Sequence, residues 1–284
     1  MDIINRVTDI RERVGAARKA GQTVGLVPTM GYLHEGHLSL IRAARTAHDL
    51  VVVSIFVNPL QFGPQEDYAA YPRDLERDSR LAAAAGADIV FAPAVAEMYP
   101  QGCENMRTFV EVGGVSERLC GAARPGHFRG VATVVSKLFN IVGPDTAYFG
   151  QKDAQQVVVI RQMVADLNIN VGITAVPIVR ETDGLALSSR NVYLNPAERR
   201  AALVLSRALG LAADRLAAGE RDATAIRQAM IDFIKTEPLA TIDYVSLSDP
   251  ATLAELAVVG RSALVALAVR IGKTRLIDNI LWEE

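Results

Sequence analysis

Over roughly its first 180 residues the chain alternates short runs that are apolar at nearly every position with segments of helical periodicity, and this constrains the fold more than any other feature. A strand that is apolar throughout, instead of at every second residue, must be covered on both faces. A parallel sheet flanked by helices meets that demand. The strand-like runs are residues 24–27, 51–57, 88–91, 147–149 and 173–179, with helices expected over about 37–48, 73–85, 131–142 and 154–167. Ahead of them Ile3, Val7, Ile10, Val14 and Ala17 recur at helical spacing between Asp2 and Gly21 and predict an amphipathic surface helix.

The character changes near Arg180. A polar loop leads to an Ala-rich helical stretch after Pro196 and a second helix near 223–236. The segments 241–248, 263–271 and 275–280 then fit a small antiparallel sheet, with a helix expected near 251–257. The fold class is α/β: a doubly wound nucleotide-binding type of domain over residues 1–178, and a smaller C-terminal α+β lid domain with a short antiparallel sheet over 179–284.

Composition narrows the function classes. Thirty Lys and Arg against 32 Asp and Glu leave a formal charge of −2, without the positive excess that binds a phosphate backbone, so no nucleic-acid partner is expected. No apolar run approaches the roughly eighteen residues of a membrane span. The charged, amphipathic start does not resemble a secretory signal, which makes the cytoplasm the expected compartment. Cys103 and Cys120 lie in a polar stretch without a CxxC pair and read as free thiols. Lysine is scarce, being confined to Lys19, Lys137, Lys152, Lys235 and Lys273, so a lysine within a polar motif stands out.

Met30-Gly31-Tyr32-Leu33-His34-Glu35-Gly36-His37 joins the strand at 24–27 to the next helix, where open α/β sheets bind ligands. Glycine lets backbone approach a ligand, and two imidazoles in one helical turn at a helix N-terminus can donate to phosphate oxygens. A Gly-rich turn with two capping or core histidines is the plainer alternative. Gly150-Gln151-Lys152-Asp153 stands in the equivalent place after the strand at 147–149. There Lys152 offers a point charge for phosphate, and Asp153 a helix cap or a ligand for ribose or metal. Leu187-Ser188-Ser189-Arg190, in the polar loop, can wrap a triphosphate or simply turn the chain. Asn58, Gln61 and Gln156 are neutral amides near strand ends. Such groups hold a carboxylate without the cationic clamp that would stabilise its ground state and blunt its attack. The stretch Arg124 to Arg129, with His127, is either an anion loop or a turn before a helix.

His34-Glu35-Gly36-His37 resembles the HxGH signature of nucleotidyltransferases related to class I aminoacyl-tRNA synthetases, with Leu187 to Arg190 in the place of their KMSKS loop. The ordered set PTMGYLHEGH, VSIFVNPLQF, RPGHFRGV, YFGQKDAQQ and GLALSSRNVYL is similar, more narrowly, to the pantoate–β-alanine ligase family. That resemblance implies a Rossmann-like first domain, a mobile lid, a homodimer, and ATP-dependent condensation of pantoate with β-alanine to give pantothenate, AMP and diphosphate through an enzyme-bound pantoyl adenylate. It implies that Met30 to His37, Gly150 to Asp153, Val179 and Leu187 to Arg190 line the ATP site, with His34, His37 and Lys152 catalytic and His37 the proton donor. By the same resemblance Gln61 and Gln156 hold pantoate, and Gln61 also meets β-alanine. Mg²⁺ accompanies ATP. Its protein ligands are left unassigned, because Asp74, Glu76 and Asp78 form an acidic cluster interrupted by Arg77, and the phosphates are expected to hold the ion. Gln151 stands where many relatives have Glu. A nucleotidyltransferase acting on a phosphorylated small molecule and a non-catalytic nucleotide sensor are the competing readings.

Overall fold

The computed structural model of the chain describes residues 1–63, 66 and 68–284. Its first part runs β1 (Asp2–Ile4), α1 (Val7–Lys19), β2 (Val24–Thr29), α2 (Glu35–Ala47), β3 (Leu50–Ile55), α3 (Leu75–Ala85), β4 (Ile89–Phe91), α4 (Val95–Met98), α5 (Leu119–Ala123), α6 (His127–Val142), β5 (Thr146–Gly150), α7 (Ala154–Asp166) and β6 (Gly172–Val176). The six strands pair in parallel in the order β1-β4-β3-β2-β5-β6. Alternate residues of the all-apolar strands enter two different cores, as strand geometry requires. Leu26, Val52 and Phe149 face α1, α6 and α7, whereas Val27, Val51, Val53 and Tyr148 face α2 and α3. This is the doubly wound sheet expected from the sequence.

The order of strands sets the place of the site. From β2 the chain winds outward through β3 and β4, then returns to lay β5 and β6 on the other side of β2. The loops leaving the carboxyl ends of β2 and β5 therefore diverge and open a crevice between them.

The second part contains α8 (Pro196–Ala201), α9 (Leu203–Ala217), α10 (Ala223–Ile234) and an antiparallel sheet of β7 (Ala240–Ser248), β8 (Ser262–Ile271) and β9 (Thr274–Glu283). One face of this sheet, with Val265, Leu267 and Val269, packs on α9 and α10. From the other face Leu264 and Ala266, joined by Leu253, pack against Ala154 and Val158 of α7, which seams the two parts together. Among the described residues no helix is long and apolar enough to cross a membrane. Both cysteines are free thiols.

Two expectations are corrected. Residues 2–4 are an edge strand, with Ile3 opposite Val90, and the helix starts only at Val7; pairing with β4 overrides helical spacing at the chain start. No helix forms over 251–257. Asp249 instead accepts the backbone N–H groups of Ala251 (3.0 Å) and Thr252 (2.8 Å), and Leu253 takes a left-handed φ of 57°. Smaller shifts have local causes. Asp74 caps α3 by accepting from Arg77 N, so this helix begins at Leu75, and Pro177 follows directly on the end of β6.

Candidate active site

At the carboxyl end of β2, Thr29 ties the strand to β3 by donating its hydroxyl to Ser54 O (2.8 Å) and accepts from Gly31 N (3.2 Å). The chain then reverses through two left-handed residues, Gly31 (φ 86°) and Tyr32 (φ 51°). Such a turn leaves N–H groups without strand partners, and Asp78 of α3 supplies the acceptor. Its carboxylate, 1 % exposed, receives Tyr32 N (2.6 Å) and Leu33 N (2.7 Å). The loop thereby delivers His34 to the N-cap of α2 and His37 to its first turn.

The two imidazoles lie with ring centroids 4.1 Å apart, and His34 N donates to His37 Nδ1 at 3.3 Å. A Cβ on Gly36 would come within 2.9 Å of His34 Cε1, so only glycine leaves that ring its place. Burial, reinforced by the charge of Lys152, lowers His34 to a pKa of about 4. His37 falls well below its ordinary value, first by burial, then by the proximity of His34 and Lys152. Both rings are therefore neutral near pH 7. Because His37 Nδ1 accepts a hydrogen bond, its proton resides on Nε2.

A cavity of about 220 Å³ opens at the divergence of β2 and β5. Its wall includes Met30, His34, Gly36, His37, Gln61, Gly150, Lys152, Asp153, Gln156, Val179 and Leu187 to Arg190. Segments far apart in the chain meet there. Gly150 ends β5, Gln151 to Asp153 follow it directly, and Gln156 lies in the first turn of α7. Leu187 N donates to Val179 O (3.0 Å), closing the polar loop, while Ser188 Oγ accepts from Arg190 N (3.2 Å) and Ser189 Oγ meets Tyr71 OH at 3.5 Å. Gln61 is oriented from both ends of its amide, with Nε2 on Met30 Sδ (3.1 Å) and Oε1 receiving Asn58 Nδ2 (3.2 Å). A wider cleft of about 1390 Å³, bounded also by Tyr244, Arg270, Lys273 and Arg275, shares Gln61, Lys152, Gln156, Ser188 and Arg190 with the cavity.

Of the other residues singled out in the sequence, Gly31, Tyr32, Leu33, Glu35, Gln151 and Asn58 lie off the cavity wall, whereas Arg124 and His127 line it. Gly31, Tyr32 and Leu33 form the loop behind it, with Leu33 in the apolar core. Glu35 pairs with Arg42 at the surface, and Gln151 turns toward Asn279. Asp153 occupies the N-cap of α7 without a capping bond, which leaves its exposed carboxylate to the cavity. Asn58, 1 % exposed, is occupied by Tyr99 OH, Leu60 N, Gly130 O and Gln61 Oε1, so it positions Gln61 from behind. The Arg124 stretch is no open anion loop. Arg124 makes a two-pronged ion pair with Glu66 (2.6 Å each) and a bond to His127 Nε2 (3.1 Å), while His127 Nδ1 donates to Gln61 O (2.8 Å). Burial, aided by Arg124, lowers His127 to about 4, so this ring too is neutral.

The acidic cluster is likewise accounted for by structure. Asp74 caps α3, Glu76 pairs with Arg80, and Asp78 holds the His34 loop. Among the described residues no group of three or more His, Cys, Asp or Glu side chains is arranged to hold a metal ion. Two supporting residues escape a reading of the sequence. Asp78 stood in an acidic run whose meaning only the tertiary contact reveals. Gly130, within RPGHFRGV, is the point where α6 crosses Leu60 and Gln61 so closely that a Cβ would collide with the Leu60 carbonyl.

Comparison with known proteins finds relatives over the whole chain. A family model described as pantoate-beta-alanine ligase matches residues 2–281. The pantothenate synthetase of Moorella thermoacetica is 60% identical over 283 residues, covering 100% of this chain and 99% of its own, and that of Roseiflexus castenholzii is 61% identical over 283 residues, covering 100% of both. The crystal structure of pantothenate synthetase from Thermus thermophilus superposes with a TM-score of 0.93 at 47% identity over 99% of each chain. The pantoate-beta-alanine ligase of Francisella tularensis, complexed with beta-gamma ATP and beta-alanine, superposes with a TM-score of 0.80 at 35% identity, covering 99% of this chain and 97% of its own.

Proposed function

This chain belongs to the pantoate–β-alanine ligase family, and from that premise we propose how its cavity joins pantoate to β-alanine with cleavage of ATP to AMP and diphosphate. The observation that carries the assignment is the convergence of His34, His37, Lys152 and Ser188 to Arg190 on one cavity whose wall also presents the amides of Gln61 and Gln156.

A carboxylate resists attack by an amine because its carbon is poorly electrophilic, so it must first acquire a leaving group. In the first step a pantoate carboxylate oxygen attacks the α-phosphorus of ATP. The bond to pyrophosphate breaks, and pantoyl adenylate remains. Gln61 and Gln156 hold pantoate by hydrogen bonds that leave its oxygen nucleophilic. His37 Nε2–H, His34, Lys152, Ser188, Ser189 and Arg190 receive the charge that moves onto the leaving pyrophosphate. In the second step the neutral amine of β-alanine, lodged near Gln61, attacks the acyl carbon. The C–N bond forms, the C–O bond to AMP breaks, and the proton shed by the amine leaves with the departing AMP phosphate or with solvent.

The remaining residues named for the ATP site, Met30 to His37, Gly150 to Asp153, Val179 and Leu187, shape the nucleotide pocket directly or from the layer behind it. Mg²⁺ travels with ATP and neutralises phosphate charge. The donor set suits an ion held mainly by phosphates and water, with Asp153 the carboxylate on the cavity wall. The same reading places a boundary near residue 178 between a Rossmann-like domain and a smaller lid. It makes the molecule a cytoplasmic homodimer.

Product analysis separates the ligase from nucleotidyl transfer to a phosphorylated acceptor. With ATP, Mg²⁺, pantoate and β-alanine the protein is expected to form AMP and pantothenate in equal amounts. A dinucleotide-like ester without free AMP would support the other reaction.

A further inference from the structure

The turn that carries Lys152 is held by a residue far away in the sequence. Asn279, on β9 and 3 % exposed, donates from Nδ2 to the carbonyl oxygens of Gln151 (3.0 Å) and Lys152 (2.9 Å), and its Oδ1 accepts from Gln151 Nε2 (3.3 Å). Its neighbour Asp278, 2 % exposed, binds Arg180 through both carboxylate oxygens (2.6 and 2.9 Å), while Arg180 also donates to Gly184 O (3.0 Å) at the root of the Ser188 loop. Successive strand residues project to opposite faces of the sheet, so two adjacent positions of β9 reach two different loops of the cavity.

We propose that Asn279 is a positioning residue for the ligase reaction, acting through Lys152; this rests on the reading of Lys152 as the cation that meets the phosphates. The chemistry of the amide suits the task. One nitrogen with two N–H groups satisfies two consecutive carbonyls, whereas a carboxylate of the same size would set a negative oxygen against both and an apolar isostere would leave both unpaired. Held from the side of β9, the turn cannot rotate about its own backbone, and the Lys152 side chain departs from a fixed Cα. The amide meets the backbone of the turn and the Gln151 side chain and does not line the smaller cavity, so its loss is felt at the phosphates through what the turn carries.

The test is a double-mutant cycle on the full-length protein with Asn279→Leu, Lys152→Ala and the pair, read as kcat and KM for each substrate. Asn279→Leu is expected to lower kcat roughly 10- to 100-fold, the scale of a misplaced catalytic group, with KM for β-alanine within about twofold of the parent. In the Lys152→Ala background the same substitution is expected to change kcat by less than about twofold, because the group it positions is gone. An equal loss in both backgrounds would overturn the proposal and make Asn279 a general prop of the fold. Near-normal turnover by Lys152→Ala alone would overturn the reading of Lys152 and the proposal with it, a failure recognised from the single variant. If Asn279→Leu does not fold, the isosteric Asn279→Asp enters the same cycle with the same expectations.

Discussion

Burial keeps His34 and His37 neutral, and the charge of Lys152 acts in the same direction, so these imidazoles present N–H groups to the cavity while the lysine presents charge. His37 is the better defined of the two, since the bond from His34 N to its Nδ1 commits the proton to Nε2. His37→Ala is expected to lower kcat by roughly 10²- to 10³-fold, the scale of one preorganised donor, with little change in melting temperature; steady-state kinetics would measure it. Depressed histidines also set a pH dependence of stability. His34 and His127, lowered from an ordinary value of 6.5 to about 4, stay unprotonated in the native state while the unfolded chain binds protons. Stability is then full above pH 6.5 and lost as pH falls toward 4, each ring adding up to about 1.4 kcal/mol per pH unit. Urea unfolding between about pH 5 and 6.5 should show this slope, and His127→Asn, whose amide can still donate to Gln61 O, should flatten it by up to about one proton.

Between elements, the closest approach that matters to the cavity is α6 against the loop after β3. Gly130 has no side chain because Leu60 and Gln61 backbone occupies its place, and the Gly130 carbonyl in turn receives Asn58 Nδ2 (3.1 Å). Gly130→Ala is expected to cost about 1–3 kcal/mol as an overpacked contact and to raise KM for pantoate more than KM for ATP, because the displaced loop carries Gln61. Denaturant melts and initial rates would measure both. At this scale much was legible in the sequence. The all-apolar runs around Val24, Val51 and Ala147 became the centre of the parallel sheet, and the motifs after β2 and β5 fell beside one crevice. What was not legible came from tertiary pairing. Ile3 fits a helical stripe until β4 offers it a strand partner, and the 251–257 segment fits a helix until the Asp249 carboxylate captures its N–H groups.

Over the whole molecule, the cavity draws on both parts. The parallel sheet supplies the loops bearing His34, Gln61 and Lys152, and the later segment supplies Ser188 to Arg190, with the antiparallel sheet seamed to α7 by Ala154, Val158, Leu264 and Ala266. Sequence spacing pointed to the motifs around His34, Lys152 and Ser188 and to Gln61 and Gln156, because each lies near a strand end or opens the polar loop; Val179 came from the family resemblance, and the apolar lining from Val131, Val134 and Leu138 was not named. Spacing could not reveal Asn279 or Asp78, whose roles exist only across that packing. Every role proposed for the cavity depends on an acyl adenylate forming before the amine attacks. The most direct measurement is mass spectrometry of the AMP produced from ATP, β-alanine and pantoate labelled with ¹⁸O in both carboxylate oxygens. One ¹⁸O atom is expected in each AMP, carried over when the C–O bond breaks. Unlabelled AMP, or label in orthophosphate, would contradict an adenylate intermediate.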